Sequence, residues 1–115
     1  MTQQSNAPPV IQRNGAEWFS GISQPLWERH LKPLAPFQSI LELGIFAGDS
    51  FFWSAENLLA EDGEQVGVDP WISSRQWANQ VEWVQNAKSL AHERLAEFKQ
   101  RHTKKRLSFV EMKSE

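Results

Sequence analysis

A glycine loop between an apolar strand and a helix is the feature that most constrains the fold of this chain. Residues 40–50 read ILELGIFAGDS, so an apolar run ends at Gly44, and Gly48 directly precedes two residues that favour helix starts. A second apolar run, residues 66–69, ends in an acid, Asp69, roughly twenty residues after the loop. A strand, a glycine loop, a helix and a strand with a terminal carboxylate form the framework of nucleoside-cofactor sites in doubly wound sheets. This order predicts an α/β fold with a partly parallel, Rossmann-like sheet.

Composition narrows the class of protein further. The 115 residues predict a single domain, and the absence of cysteine excludes a disulfide framework and thiolate metal sites. A net charge of −2 gives no reason to expect a nucleic acid partner. Because residues 1–9 lack the parts of a secretion signal and no apolar run reaches the roughly 20 residues of a membrane span, we expect a cytoplasmic protein without membrane contact.

Three segments divide the chain. Residues 1–13 are expected to be a flexible lead-in, and residues 14–36 a helical lead-in segment with a helix from about Gln24 to Leu31. Pro25 suits the first turn of that helix, where a missing N–H costs nothing. Residues 37–115 are expected to form the Rossmann-like part of the chain.

Hydrophobic periodicity predicts alternating strands and helices in this last segment. The first strand, Ser39–Leu43, is almost entirely apolar, as in a central parallel strand covered on both faces. Asp49 and Ser50 are available to cap the helix that follows. The further elements are a helix over 49–59, a polar turn over 61–64, a strand over 65–68, a helical pattern over 74–101 with a break near 85–89, and a strand over 106–112.

The glycine loop suits a ligand that approaches the main chain. The helix behind it presents free N–H groups to a carboxylate or phosphate, and the acid that ends the second strand can accept both hydroxyls of a ribose. A dinucleotide loop needs a glycine in the middle position, but Phe46 occupies it. The pattern therefore favours a cofactor without phosphates and disfavours a nicotinamide-dependent oxidoreductase.

Two motifs resemble those of class I S-adenosylmethionine-dependent methyltransferases. Residues 42–50 (ELGIFAGDS) are similar to the first motif of the branch whose loop has the form E-x-G-x-F-x-G-x-S, and residues 66–71 (VGVDPW) to its second motif. Residues 17–19 and 27–31 resemble the helical segment that often precedes the first strand, and residues 109–114 resemble the third strand. The resemblance covers roughly residues 17–115.

This resemblance implies a site for S-adenosylmethionine. Its methionine half would contact the glycine loop, its ribose hydroxyls the acid of the second motif, and its adenine the residues beyond that acid. The implied cofactor-binding residues are Glu42 near the amino group, Gly44, Ile45, Phe46 and Gly48 along the loop, Ser50 near the carboxylate, Asp69 at the ribose, and Pro70, Trp71 and Ser114 at the adenine. The methyl acceptor, expected to be a small molecule, and the catalytic residues are not identified.

The chain departs from the family pattern in its length. The family's complete domain has about seven strands, whereas this sequence ends after the third, so the resemblance implies only the N-terminal half. Without the fourth strand the first would have a bare edge, through which homo-oligomers can form. A catalytically inactive half-domain that serves as a binding or assembly module is the alternative function.

Simpler interpretations exist for several residues. The glycine loop could be only a strand-to-helix turn, and Asp69 a turn-capping aspartate before proline. Tryptophans 71, 77 and 83 fit a core better than a base-stacking platform. The cations between Lys99 and Arg106 fit a solvated helix end, and His30 and His102 the surface. The sequence following His92 places Ala96 where a zinc helix needs its second histidine, so no metal site is predicted.

Overall fold

The structure, a computed structural model, describes residues 19–71 and 81–112. These residues form a mixed α/β arrangement of three strands and three α-helices. In chain order the elements are a π-helical turn (Phe19–Ser23), α1 (Gln24–His30), a 3-10 turn (Lys32–Leu34), β1 (Phe37–Leu43), α2 (Asp49–Asn57), β2 (Leu59–Val68), α3 (Val81–Arg101) and β3 (Arg106–Val110).

The three strands form one parallel sheet in the order β1-β2-β3. The register is given by rows of neighbouring residues: Leu41 of β1 lies beside Val66 of β2, which lies beside Ser108 of β3. The next row of side chains on the same face begins at Leu43. A register shift between Phe37 and Ser39 marks the start of β1. The sheet confirms the predicted α/β class with parallel strands.

The helices α2 and α3 pack on one face of the sheet. Phe51 and Ala55 of α2 and Phe98 of α3 are buried in a single apolar cluster with Leu107 of β3. Gly67 lies under this layer, and a β-carbon built on it would lie 2.8 Å from Cε1 of Phe51. A glycine in the middle strand thus lets the helix and the loop approach the sheet closely.

No described residue covers the opposite face of the sheet. Leu41 and Leu43 of β1 are 66% and 67% exposed, and Val110 of β3 is 38% exposed. We call this surface the open face; its residues are Leu41, Leu43, Val66, Val68, Ser108 and Val110. The expectation that β1 is a central strand covered on both faces is therefore wrong for the described part of the chain: β1 is an edge strand, and two of its leucines face outward.

Two predicted element boundaries are also wrong. The expected polar turn over 61–64 belongs to β2, which begins at Leu59. Charged side chains are tolerated there because Glu61, Asp62 and Glu64 are exposed. The expected break near 85–89 is absent, since α3 is continuous from Val81 to Arg101. Lys88, which interrupts the apolar pattern, reaches out to Glu111 at 2.7 Å instead of disturbing the helix.

The expected capping of α2 by Asp49 and Ser50 is a third correction. The N-cap residue is Gly48, and no side chain bonds to the free N–H groups of the first turn. Both side chains have other partners, because Asp49 pairs with Arg94 and Ser50 donates to Glu42.

The N-terminal helical segment packs against the outer side of α2. The rings of Phe19, Trp27 and Trp53 meet edge to face, with centroids 5.0 to 6.1 Å apart. The predicted helix is confirmed as α1, and Pro25 lies in its first turn. The expected flexible lead-in over 1–13 and the start of the helical pattern at 74 lie outside the described residues.

Candidate functional site

The glycine loop lies where β1 ends and α2 begins, beside the end of β2. Gly44 and Gly48 have φ angles of +85° and +98°, which glycine adopts without steric cost. The N–H of Gly44 donates to the carbonyl of Val68 at 2.8 Å, and that of Gly48 to the carbonyl of Ile45 at 2.9 Å. A β-carbon on Gly48 would lie 2.6 Å from the Phe52 ring, whereas one on Gly44 would meet open space. The loop is closed on its helix side and open at Gly44.

Asp69 is the central residue of this region. Its Oδ2 accepts the backbone N–H groups of Ile45 at 2.7 Å and Phe46 at 2.8 Å, and its Oδ1 accepts that of Trp71 at 2.8 Å. Its own N–H donates to the carbonyl of Val110 at 3.1 Å. The carboxylate therefore joins the ends of β1 and β2, and it also caps the turn that follows it. The turn-capping interpretation of Asp69 is confirmed, and a second role in the glycine loop is added.

Trp71 completes the connection on the other side of Asp69. Its indole Nε1 donates to the carbonyl of Phe46 at 2.9 Å, and its own carbonyl accepts the Nε2 of Gln85 at 3.1 Å. The side chain is 2% exposed and meets the ring of Phe109 at 5.5 Å between centroids. Trp71 is thus a core residue, as expected from the sequence. Its ring can reach a ligand only after its neighbours move.

Two bulky residues in this region have backbones in the left-handed conformation. Phe46 has a φ angle of +53° and Trp71 one of +48°, a region that L-residues other than glycine, asparagine and aspartate seldom adopt. Such a backbone costs on the order of 1–3 kcal/mol and persists only when surrounding contacts hold it. Here the contacts are the hydrogen bonds to Asp69. One carboxylate thus holds two left-handed backbones, that of Phe46 in the loop and that of Trp71 after β2. An ordinary strand-to-helix turn has no such arrangement.

Glu42 and Ser50 lie behind the loop. The Ser50 hydroxyl donates to Oε2 of Glu42, and both side chains are partly buried. Burial raises the pKa of the Glu42 carboxyl above its ordinary value, while the hydrogen bond from Ser50 offsets part of this rise. A carboxylate that is poorly solvated by water is stabilised by a cationic or hydrogen-bonding partner. Ser50 is such a partner for Glu42 at the base of the loop.

Arg94 of α3 is a site residue that the sequence did not reveal. One guanidinium nitrogen, Nη1, donates to the carbonyl of Ala47 at 2.9 Å and to Oδ1 of Asp49 at 2.7 Å. It therefore fastens the glycine loop to a helix 47 residues later in the chain. On the sequence Arg94 is one cation among many on a polar helix, and no local pattern distinguishes it.

Eight of the ten predicted cofactor residues lie in this hydrogen-bonded network or in the loop itself. Pro70 lies between Asp69 and Trp71 and is half-buried. The tenth, Ser114, lies outside the described residues. The structure thus brings the residues of the two sequence motifs together, although most of their polar groups already have partners within the chain.

The cations near the end of α3 bind to neighbouring elements. Arg101 lies 3.6 Å from Glu56, Lys105 donates to the carbonyl of Ala55, and Arg106 donates to that of Asp62. Arg101 and Arg106 are exposed, as expected of a solvated helix end, whereas Lys105 is half-buried against the end of α2. The surface assignment is wrong for His102, which is partly buried and stacked on Phe98, with its Nε2 3.1 Å from Oε2 of Glu56 but not aligned for a hydrogen bond.

Among residues 19–71 and 81–112, no three acidic or histidine side chains are placed to hold a metal ion together. In the same ranges, no helix is both long and apolar enough to cross a membrane. No protein-family model, no curated protein and no solved structure matches the chain.

Proposed function

We propose that this chain is the S-adenosylmethionine-binding portion of a class I methyltransferase, with a Rossmann-like sheet, that acts in the cytoplasm on a small-molecule acceptor. The observation that carries the proposal is the bond between Asp69 and the amides of Ile45 and Phe46. It brings the acid of the second motif directly to the glycine loop of the first. In open α/β sheets, ligands bind at the carboxyl ends of the strands, where these two motifs meet.

The residues at this edge fit the cofactor in charge and shape. A β-carbon on Gly44 would meet no atom within 4 Å, so a ligand can approach the main chain there. Burial raises the pKa of Glu42, and no cation of the described residues pairs with its carboxylate, which would hold the amino group of the methionine half. Ser50 would then donate a hydrogen bond to the carboxylate of the cofactor or orient Glu42. Ile45, Phe46 and Gly48 would line the methionine half along the loop.

The hydrogen bonds of Asp69 set a condition on ribose binding. A carboxylate accepts about four hydrogen bonds, and three of those positions hold backbone N–H groups. One ribose hydroxyl fits the remaining position, but two require that a loop amide give up its bond. We therefore expect cofactor binding to shift the segment around Phe46, and Pro70 and Trp71 to move with it to reach the adenine.

The cofactor supplies a sulfonium-bound methyl group that a nucleophile can attack in line. What this chain contributes is orientation, because the loop and Asp69 hold the donor in one position against the acceptor. Glu42 balances the ammonium charge. No residue of the chain is assigned here as a catalytic base, and no residue is assigned to the acceptor.

Calorimetry on the full-length chain tests the proposal. Titration with S-adenosylmethionine or its demethylated product, S-adenosylhomocysteine, should give a saturable heat, and Asp69→Ala should weaken binding by 10-fold or more, about 1.4 kcal/mol. Asp62→Ala is the matched control, since Asp62 is an exposed acid of β2, the strand that Asp69 follows. Absence of binding to the folded wild-type chain would overturn the proposal, as would equal effects of the two substitutions.

A catalytically inactive module for binding or assembly is the second candidate function. It is favoured by the uncovered edge of β1 and the exposed Leu41 and Leu43. A stable oligomer that takes up neither cofactor form would support this alternative. A nicotinamide-dependent oxidoreductase fragment is less well supported, because the side chain and left-handed backbone of Phe46 occupy the position where a pyrophosphate needs glycine.

A further inference from the structure

The outer edge of β1 presents unpaired backbone groups. In a strand, successive residues point their N–H and C=O groups to opposite sides. The N–H of Gly44 points to β2, where it donates to Val68, so alternate residues back along β1 also point to β2. The outward groups therefore belong to Ser39, Leu41 and Leu43. Among the described residues, no hydrogen bond joins this edge to another element.

We propose that β1 of a second copy of this chain pairs with β1 in antiparallel orientation. The two-fold axis passes midway between Leu41 of one copy and Leu41 of the other. This inference does not require cofactor binding; it names the occupant and the register for the β1 edge on which the second candidate function rests. The paired strands would join two three-stranded sheets into one of six strands. A two-fold axis makes each copy meet the same surface of the other, as in most homodimers.

The outward groups are their own complement in this register. Ser39 of one copy lies opposite Leu43 of the other, and Leu41 lies opposite Leu41. Each of these three pairs can exchange two backbone hydrogen bonds, so all outward N–H and C=O groups of residues 39–43 are satisfied. A shift of the axis to Ile40 or Glu42 leaves part of the edge unpaired. The symmetric spacing of the free groups therefore selects one register.

Side chains along the join are also compatible with a second copy. On the helix side Ile40 faces Glu42, so no like charges lie directly opposite each other. On the open face the exposed Leu41 and Leu43 of the two copies form one strip of four leucines at the centre of the joined sheet. Residues 37–43 contain no lysine or proline, the residues that commonly block pairing at edge strands. This edge therefore carries neither of these blocking residues, and pairing with an identical strand places no like charges directly opposite each other.

Sedimentation equilibrium from micromolar to submillimolar concentration tests the pairing. We expect a monomer–dimer equilibrium, and Leu41→Lys should weaken the dimer at least about tenfold, since it places two ammonium groups opposite each other and removes the central leucine contact. Val110→Lys is the control, because it changes an exposed apolar residue of the same face on the opposite edge strand. Circular dichroism establishes that both variants fold.

Cross-linking identifies the register. The chain has no cysteine, so Leu41→Cys and Val110→Cys each introduce a unique thiol. The proposed pairing places the two Cα atoms of residue 41 about 5.5 Å apart, and those of residue 110 more than about 24 Å apart, across five strand spacings. A short bifunctional thiol reagent should therefore link the first variant and not the second. A monomer at all concentrations, equal weakening by the two lysine variants, or preferential linkage at position 110 would overturn the proposal.

Discussion

The Oδ2 atom of Asp69 at the end of β2 accepts the backbone N–H of Ile45 at the end of β1, at a distance of 2.7 Å. This bond joins the two motifs of the sequence across 24 residues. It also gives the acid a structural task in the ligand-free protein, since the same oxygen holds the N–H of Phe46. Substitutions at this end of the sheet should therefore affect the conformation of the loop as well as any ligand.

Replacement of Asp69 by alanine should destabilise the loop and the chain. Three backbone N–H groups lose their acceptor, and leaving partly buried donors unpaired costs about 1–3 kcal/mol. Asp69→Asn should cost less, because one acceptor oxygen remains. Urea denaturation gives the stabilities, and amide hydrogen exchange should show faster exchange at Ile45, Phe46 and Trp71. Unchanged exchange at these three amides in the alanine variant would contradict the assigned role.

Glu42 should make stability depend on pH. Burial raises the pKa of its carboxyl in the folded chain, so folding favours the protonated form. The resulting stability is fully present below the ordinary carboxyl pKa and is lost as the pH rises through the raised value. Glu42→Gln cannot ionise, so its stability relative to the wild type should increase across this window. Denaturation curves at a series of pH values measure the difference, and a constant difference between the two proteins would contradict the prediction.

Gly67 should not tolerate a larger residue. A methyl group there would lie 2.8 Å from Cε1 of Phe51 and closer still to Cδ1 of Ile45, so Gly67→Ala should cost about 1–3 kcal/mol through overpacking. Gly21→Ala is the control, since a β-carbon at Gly21 would meet no atom within 4 Å. Thermal unfolding compares the two variants. If both change the melting temperature equally, the close approach of α2 to the sheet is not the cause.

Arg94 should contribute more to stability than the more exposed Arg101. Its guanidinium is held by the Ala47 carbonyl and by Asp49 at 2.7 Å, whereas Arg101 lies 3.6 Å from an exposed glutamate. We expect Arg94→Ala to cost about 1 kcal/mol, because an acceptor next to the glycine loop loses its partner. Arg101→Ala should change stability by about 0.5 kcal/mol or less. Denaturant titration of the two variants gives the comparison, and the reverse order would contradict it.

Local patterns were sufficient for the order of the elements. The apolar runs ending at Leu43 and Val68 predicted two strands, and the glycines after the first predicted a loop that leads into a helix. These predictions succeeded because strand and turn propensities act over a few residues. The polar segment over 61–64 was misread as a turn for the same reason: its composition is polar, but β2 runs from Leu59 to Val68. Within the segment, Glu64 pairs with Ser39 of β1 and with Arg106 of β3.

Contacts between distant residues could not be predicted in this way. Nothing in the sequence near Arg94 indicates that it holds the carbonyl of Ala47. The sequence near Asp69 indicates that it caps the following turn, but not that it accepts two amides of the glycine loop. The exposure of Leu41 was also hidden, because an apolar strand has the same sequence whether one face is covered or both. Each of these features depends on which atoms the fold brings together, and local patterns do not record that.

The sequence by itself determined that a glycine loop and a strand-ending acid belong to a parallel α/β unit, since backbone preference and hydrophobic periodicity are local properties. Only the tertiary structure decided that the acid holds the loop, that α2 and α3 cover the same face, and that no described residue covers the other face of the sheet. Hydrogen bonds and burial across the sheet depend on residues far apart in the chain, and their geometry exists only once the strands are paired.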